Sequence, residues 1–306
     1  MTEHSPDTSA LVSCFRHIPL HIRQGVFVAL FEAGYHLDAR HRLASLQNLK
    51  RAFPEKPVPE LVAIARGAFR NMALVAAEFF DIPSLTTERI RERVEVEGAE
   101  HYAAAAGKGR GLLLFGAHFG NWEFQAVAVS LLFRPLTFVY RPLDNPFLER
   151  LVTSVRSSTG NIAVPTKKSM RQMLRALKDN GTVGLLIDQN WNRREGVFVE
   201  FFGRPACTTD GLALLALHTG APVIPAFMVR KPNGHYRLVI GEEVPLVDTG
   251  DRKTDAIVNT QNFTRVIEAL VRQYPDQWLW VHRRWQTQPQ PGPGSRDRIM
   301  PALTRN

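Results

Sequence analysis

The sequence is short of cysteine: Cys14 and Cys207 are the two in 306 residues, and they lie far apart. Their spacing matches no metal-ligand pattern, which excludes a disulfide framework and a zinc knuckle and suits a reducing compartment. Long apolar runs are missing too. The best one near the N-terminus, Gly25 to Phe31, is about seven residues against the roughly twenty of a spanning helix, and the chain begins acidic and polar. Neither a cleaved signal nor a membrane span is expected. Gly211 to Val229 carries no formal charge, but Gly220, Pro222 and Pro225 divide it into a buried helix, a glycine stop and a buried strand. There is no G-x-S-x-G elbow to supply a serine nucleophile and no H-E-x-x-H cluster to hold a catalytic metal. Internal repeats are absent. Basic residues are dispersed without an RRM, KH or helix-turn-helix signature, which argues against nucleic acid as a partner.

What is present is an ordinary globular composition, 44% apolar and 22% charged, long enough for a large core. A net charge of +9 and a pI near 9.9 favour an anionic partner. By charge alone a phospholipid surface, a lipid phosphate or the phosphopantetheine of an acyl carrier would serve.

Texture changes along the chain. Residues 1–90 read as a helical N-terminal region able to contact a membrane, with "FPEKPVPE" (53–60) a proline-broken connection and residues 61–80 apolar enough for a buried or membrane-facing helix. From Val94 onward, short apolar runs alternate with helical patterns: "VEVEG", "GLLLFGA", "LTFVYR", "NIAVP", "TVGLLID", "APVIPAFMV" and "YRLVIGEEV". Such alternation predicts an α/β fold over residues 91–286, a mainly parallel central sheet flanked by helices, with an amphipathic helix over 256–274. The proline- and glycine-rich tail, 287–306, is expected to be disordered.

The chemistry concentrates in "GLLLFGAHFGNWEFQAVAVSLL", residues 111–132. An apolar strand delivers His118 into a glycine-flanked turn, and a helix starts near Asn121, a good capping residue. Gly116 and Gly120 would let the backbone approach a ligand closely. If the loop supplies the histidine and the first helical turn supplies Glu123, the carboxylate can reach back to one ring nitrogen and leave the other free to accept a proton. The pair repeats the histidine and acid of a hydrolase triad without its serine, so the alcohol to be activated belongs to the substrate. Backbone amides at the helix start could stabilise an oxyanion. The plain alternative is a turn histidine beside an acid favoured by the helix dipole.

"HFGNWE" resembles the H-x-x-x-x-D/E motif of glycerolipid acyltransferases, in the form used by the late lipid A acyltransferases. Further blocks in the same order extend the resemblance from Gly111 to Trp285: "VYRPLDNP", "GLLIDQN", "GVFVEFFGRPACTT", "TGAPVIPAF" and "PDQWLWVHRRW". The resemblance implies an O-acyltransferase that moves a fatty acyl chain from an acyl carrier protein or CoA thioester to a hydroxyl of a glycolipid, with no metal and no cofactor beyond that co-substrate. It implies His118 as general base and Glu123 as its partner. Asn121, Trp122, Arg141, Phe201, Phe202 and Gly203 would line the acceptor pocket, with Arg204 beside it. A lysophospholipid or a phosphatidylinositol mannoside is the alternative acceptor, and a lipid-binding protein without catalysis the alternative function. Family members commonly begin with an apolar anchor. Here that segment is interrupted by Arg16, His17, His21, Arg23 and Glu32, which predicts peripheral attachment at the cytoplasmic face of the inner membrane.

Three further features stay open. Lys167, Lys168, Arg171, Arg175 and Lys178 share one face of a helix opposite Met170, Met173, Leu174 and Leu177, either a solvated face or a headgroup contact. Trp278, Trp280, Arg283, Arg284 and Trp285 suit either interfacial anchoring or core packing. Asp188 and Gln189, at the end of an apolar strand, could support the site from behind.

Overall fold

The computed structural model describes residues 6–166 and 169–290; Lys167, Lys168 and the tail beyond 290 lie outside them. Four helices come first: α1 (Pro6–His17), α2 (Leu20–Leu37), α3 (Ala39–Ala52) and α4 (Val58–Phe79), with the proline-rich 53–57 between the last two. A short α5 (Thr87–Arg93) leads into β1 (Val94–Glu97). The alternating part then runs α6 (Ala99–Ala106), β2 (Leu112–Gly116), α7 (Trp122–Leu132), β3 (Leu136–Tyr140), α8 (Pro146–Ser157), β4 (Ile162–Pro165), α9 (Ser169–Lys178) and β5 (Thr182–Leu186). A hairpin, β6 (Gly196–Phe201) and β7 (Arg204–Thr209), is followed by α10 (Gly211–Thr219), β8 (Val223–Arg230), β9 (Tyr236–Ile240) and α11 (Arg252–Gln273).

The strands form a seven-stranded sheet in the order β1-β9-β8-β2-β5-β3-β4, with β6 and β7 paired apart from it. Within the seven-stranded sheet pairing is parallel except between β8 and β9, and the β6–β7 pair is antiparallel. This is the expected mainly parallel α/β sheet. The expected break in 211–229 is also there: α10 ends at Gly220, left-handed at φ 65°, before β8.

Side chains of the central strand alternate between two cores. Leu113 and Phe115 join α4, α9, α10 and α11 on one side, where Phe263, Ile267 and Trp278 are buried, while Leu112 and Leu114 join α6, α7 and α8 on the other. Because β2 is covered on both faces, it reads as an unbroken apolar run. Among the described residues no helix is long and apolar enough to cross a membrane.

The segment 278–285 is no strand. One isolated bridge ties Trp278 to Phe119, and Trp278, Trp280, Arg284 and Trp285 are all buried, which is the core-packing alternative. On α9, Met173 and Leu177 are buried against the sheet while Arg171, Arg175 and Lys178 are exposed.

Candidate active site

The turn after β2 is clamped on all sides. Gly120 has φ +55°, and a Cβ there would stand 1.7 Å from the Met228 carbonyl oxygen. Its own N–H donates to the Gln277 carbonyl at 2.8 Å, and the Asn121 N–H donates to Met228 at 3.2 Å. A Cβ on Gly116 would meet the Ala226 carbonyl at 2.8 Å. Both glycines therefore serve contact with β8, and the expected close approach to a ligand is corrected to close approach of two backbone segments. Asn121 caps α7 as its type predicts, its Oδ1 accepting the Phe124 N–H at 3.0 Å.

Strand pairing chooses the partner of His118. Gly116 on β2 is in register with Leu186 on β5, so the residues two places beyond each, His118 and Asp188, emerge side by side. The His118 Nδ1 lies 2.9 Å from Asp188 Oδ1, and the His118 backbone N–H donates to Asp188 Oδ2 at 3.0 Å. The indole N–H of Trp278 donates to the same Oδ2 at 2.8 Å. Burial pushes the Asp188 carboxyl up, but the charge and hydrogen bonds of His118 and the donor from Trp278 hold it below the usual carboxylate range. An ionised Asp188 puts the imidazole proton on Nδ1 and leaves the Nε2 lone pair as an acceptor. Side-chain exposure follows these roles, 2% at Asp188 and 22% at His118. The Gln189 amide nitrogen lies 3.4 Å from Nε2, within reach to donate to it.

Glu123 is not that partner. Its carboxylate accepts from Arg156 Nε at 2.8 Å and from Arg156 Nη2, and from the Trp122 indole N–H at 3.1 Å. The physical reason is competition: a guanidinium from α8 offers a full charge and two parallel donors, more than one imidazole N–H can. The expected pairing of His118 with Glu123 is corrected to His118 with Asp188 and Glu123 with Arg156.

The expected pocket residues separate. Trp122 stands edge-on to His118 with ring centroids 5.5 Å apart, and Arg141 is exposed just past β3 on the same rim of the sheet. Asn121 is 1% exposed, its amide donating to Glu78 Oε2 at 2.6 Å and to the Tyr236 hydroxyl at 3.2 Å, so it holds the turn and cannot form a pocket wall. Phe201 and Phe202 are core. Phe201 packs on Trp278 and Trp285, and Phe202 packs on Phe53 and Trp280. Phe202 and Gly203 form the two-residue turn between β6 and β7 with φ of 53° and 67°. Hairpin twist demands those positive angles, and the buried ring offsets their cost at a phenylalanine. Arg204 is exposed, with Nε donating to the Arg51 carbonyl at 3.2 Å. The three residues of "FFG" thus reach the site only through Trp278, which Phe201 supports.

Several groups behind the site escaped the sequence reading. Arg284 is fully buried and donates to the carbonyls of Gln189 at 3.1 Å and Cys207 at 2.8 Å and to Thr208 Oγ1 at 2.5 Å; burial pushes its pKa down to about 10. His282 Nε2 accepts the Asn190 N–H at 2.7 Å, and burial pushes its pKa down. From α4, Asn71 donates to the Gly120 carbonyl at 2.8 Å, and Glu78 gathers Asn121, Tyr236 and Arg230. The aromatic and guanidinium cluster of 278–285 was the visible signal for the first group. Glu78 gave none.

Comparison with known proteins bears on what this arrangement does. Residues 9–287 match the family model for bacterial lipid A biosynthesis acyltransferases. The lipid A biosynthesis lauroyltransferase of Escherichia coli (strain K12) is 32% identical over 248 residues, 80% of this chain and 78% of that protein. The palmitoleoyltransferase of the same organism is 29% identical over 252 residues, 82% and 80% of the two chains. A phosphatidylinositol mannoside acyltransferase of Mycolicibacterium smegmatis is 27% identical over 274 residues, 88% and 87%. Among solved structures, the 1-acyl-sn-glycerophosphate acyltransferase PlsC of Thermotoga maritima aligns with TM-score 0.38 and 15% identity over 85% of this chain and 99% of that one.

Proposed function

The chain belongs to the bacterial lipid A biosynthesis acyltransferase family and is an acyltransferase; on that premise, we propose that it moves a fatty acyl group from an acyl carrier protein or CoA thioester to a hydroxyl of a lipid A type glycolipid, with His118 as general base and Asp188 as its orienting carboxylate. The observation that supports this reading is the Asp188–His118 pair itself: an ionised, buried acid on Nδ1 and an unprotonated Nε2, met by the Gln189 amide at 3.4 Å, on a partly exposed ring.

The steps follow from that polarity. The acceptor hydroxyl displaces the Gln189 amide from Nε2 and gives up its proton as its oxygen attacks the thioester carbonyl. A C–O bond forms, and the tetrahedral oxyanion then expels the thiolate as the C–S bond breaks. The imidazolium, stabilised by Asp188, returns the proton to the leaving sulfur. At the start of α7 the amides of Trp122 and Glu123 make no hydrogen bond among the described residues. They are the donors available to the oxyanion, since Asn121 has taken that of Phe124. Glu123 and Arg156 brace this helix start. Arg141 on the same rim suits a phosphate of the acceptor or donor, because its guanidinium can bind one in bidentate fashion. The enzyme would work as a peripheral protein on the cytoplasmic face of the inner membrane.

Thiol release from acyl carrier protein and CoA thioesters tests the reading, with a lipid A precursor, a phosphatidylinositol mannoside and a lysophospholipid as parallel acceptors. Acceptor-dependent release is expected with the lipid A precursor. In His118→Ala it should fall by on the order of 10³-fold or more with the circular dichroism unchanged. Near-normal turnover in that variant would rule the mechanism out.

A further inference from the structure

Two consecutive residues hold opposite nitrogens of the His118 ring. Asp188 meets Nδ1 at 2.9 Å, and the amide nitrogen of Gln189 faces Nε2 at 3.4 Å. With the imidazole proton on Nδ1, Nε2 can only accept, so the group that meets it is the donor end of the amide. The contact is long beside the usual ~2.7–3.2 Å for an N–H donor. It is also the one hydrogen bond of that side chain among the described residues, and Oε1 makes none. Gln189 is half-buried, whereas Asp188 is 3% exposed. A glutamine that served only as support from behind would be buried with both ends of its amide satisfied. Asp188 does stand behind the ring, and Gln189 stands on its reactive side.

The mount of this side chain is rigid. The Gln189 carbonyl accepts from the buried Arg284 at 3.1 Å. The next residue, Asn190, donates its N–H to His282 Nε2 at 2.7 Å and exchanges two hydrogen bonds of 3.0 Å with Thr287. On the other side Asp188 is held by His118 and Trp278. Backbone is thus fixed on both flanks, and the amide turns about its own side-chain bonds with no tie but the loose one to Nε2. An acceptor oxygen bonded to Nε2 would stand about 2.8 Å from it, in the space the amide now fronts. The thioester carbon under attack carries its oxyanion beside that oxygen. A side chain that starts next to Nε2 needs only a change in its own torsions to bring an N–H to that charge.

We propose that Gln189 is a catalytic residue with two positions: its amide caps His118 Nε2 in the empty site, and it donates to the thioester oxyanion once an acceptor hydroxyl has taken Nε2. This role rests on acyl transfer by His118 and adds a side-chain donor to the backbone amides of Trp122 and Glu123. In the transfer step the acceptor hydroxyl gives its proton to Nε2 as its oxygen bonds the carbonyl carbon. The carbonyl π electrons move onto oxygen, and the Gln189 N–H meets that charge. Collapse re-forms the carbonyl, breaks the C–S bond and sends the proton to the thiolate, which frees Nε2 for the amide to return. The cap also discriminates between nucleophiles. Water on Nε2 would attack the same thioester and release a fatty acid and a thiol. Water brings only its own hydrogen bonds to offset loss of the amide, whereas a lipid acceptor brings the binding energy of its whole body.

Steady-state acyl transfer by Gln189→Ala and Gln189→Glu, with thiol and free fatty acid measured in the same reactions, tests both positions. Alanine has no donor, and an ionised glutamate has none either. In each variant kcat for transfer to a lipid A precursor should fall by on the order of 10²-fold with KM for the acceptor little changed, because the oxyanion forms only along the reaction path. In Gln189→Ala the ratio of fatty acid to transferred acyl group should rise by roughly threefold or more. Without substrate, diethyl pyrocarbonate, which modifies unprotonated ring nitrogens, should carbethoxylate His118 roughly threefold faster or more in Gln189→Ala, as read on the His118 peptide by mass spectrometry. Melting temperatures should move by under about 2 °C, since the side chain makes no other hydrogen bond among the described residues. Wild-type kcat in both variants overturns the oxyanion role and leaves His118 and Asp188 standing. An unchanged carbethoxylation rate overturns the cap, and an unchanged product ratio overturns its discrimination against water. Absence of thiol release from the wild type removes the acyl-transfer reading and the oxyanion role with it, and the carbethoxylation rate then decides the cap by itself.

Discussion

Asp188 and Glu123 both lie within reach of the His118 turn, and their surroundings differ in kind. Asp188 closes a buried strand end, is 2% exposed, and accepts three hydrogen bonds, two from His118 and one from an indole. Glu123 starts a helix, is 12% exposed, and spends its charge on Arg156. An acid that polarises a base must be ionised and otherwise unclaimed by a cation. Asp188 meets both conditions, and Glu123 fails the second.

The sharpest way to break this contrast is Asp188→Asn. It should lower turnover by on the order of 10³-fold through the wrong tautomer at His118, with little change in KM. Glu123→Gln should act through stability instead. It and Arg156→Gln should each lower the melting temperature, and a double-mutant cycle between them should give a coupling of about 1–3 kcal/mol. A Glu123→Gln enzyme that loses turnover at unchanged stability, with a shifted pH profile, would restore Glu123 as the partner of His118.

Acid unfolding sharpens the contrast further. The lowered pKa of His282 means that the unfolded chain binds this proton first, so native stability should decline as pH falls below about 6.5, the ordinary histidine value. Protonation would also remove the acceptor of the Asn190 N–H. The depressed Asp188 contributes stability that is present above the unfolded carboxylate value and lost as pH falls from about 4 through its lower folded value. Denaturant midpoints from pH 8 to 3 should show both stages, with His282→Gln removing the first and Asp188→Asn the second. The smallest effect expected is that of Trp278→Phe. Removing one donor to Asp188 should cost about 1–2 kcal/mol in stability, with turnover within roughly tenfold of wild type.

Much of the fold was legible because a buried parallel strand is a short apolar run and a helix end carries a cap. β2, β5, β8 and the Gly220 stop all announced themselves in this way. The hairpin of β6 and β7 did not, because its most conspicuous word, Phe201-Phe202-Gly203, suggested a pocket when its aromatic rings were core and its glycine a turn. At the site, His118 was visible from its own turn. Its acid was visible only as a residue that could support the site from behind; the direct pairing was not, because the contact joins residues 70 apart in sequence and exists only because β5 lies beside β2 in the sheet. Local spacing can nominate Glu123, but it carries no information about Arg156 arriving from the next helix.

The hold of α4 on the turn has a consequence for the enzyme as a machine. Asn71 and Glu78 grasp Gly120 and Asn121 from outside the sheet, so the reacting imidazole is mounted partly on the leading helices. A fragment trimmed to the alternating strands and helices would keep the strand that presents the base and lose the bracket that aims it. Loosening α4 would therefore be felt first as misdirected chemistry and only afterwards as unfolding.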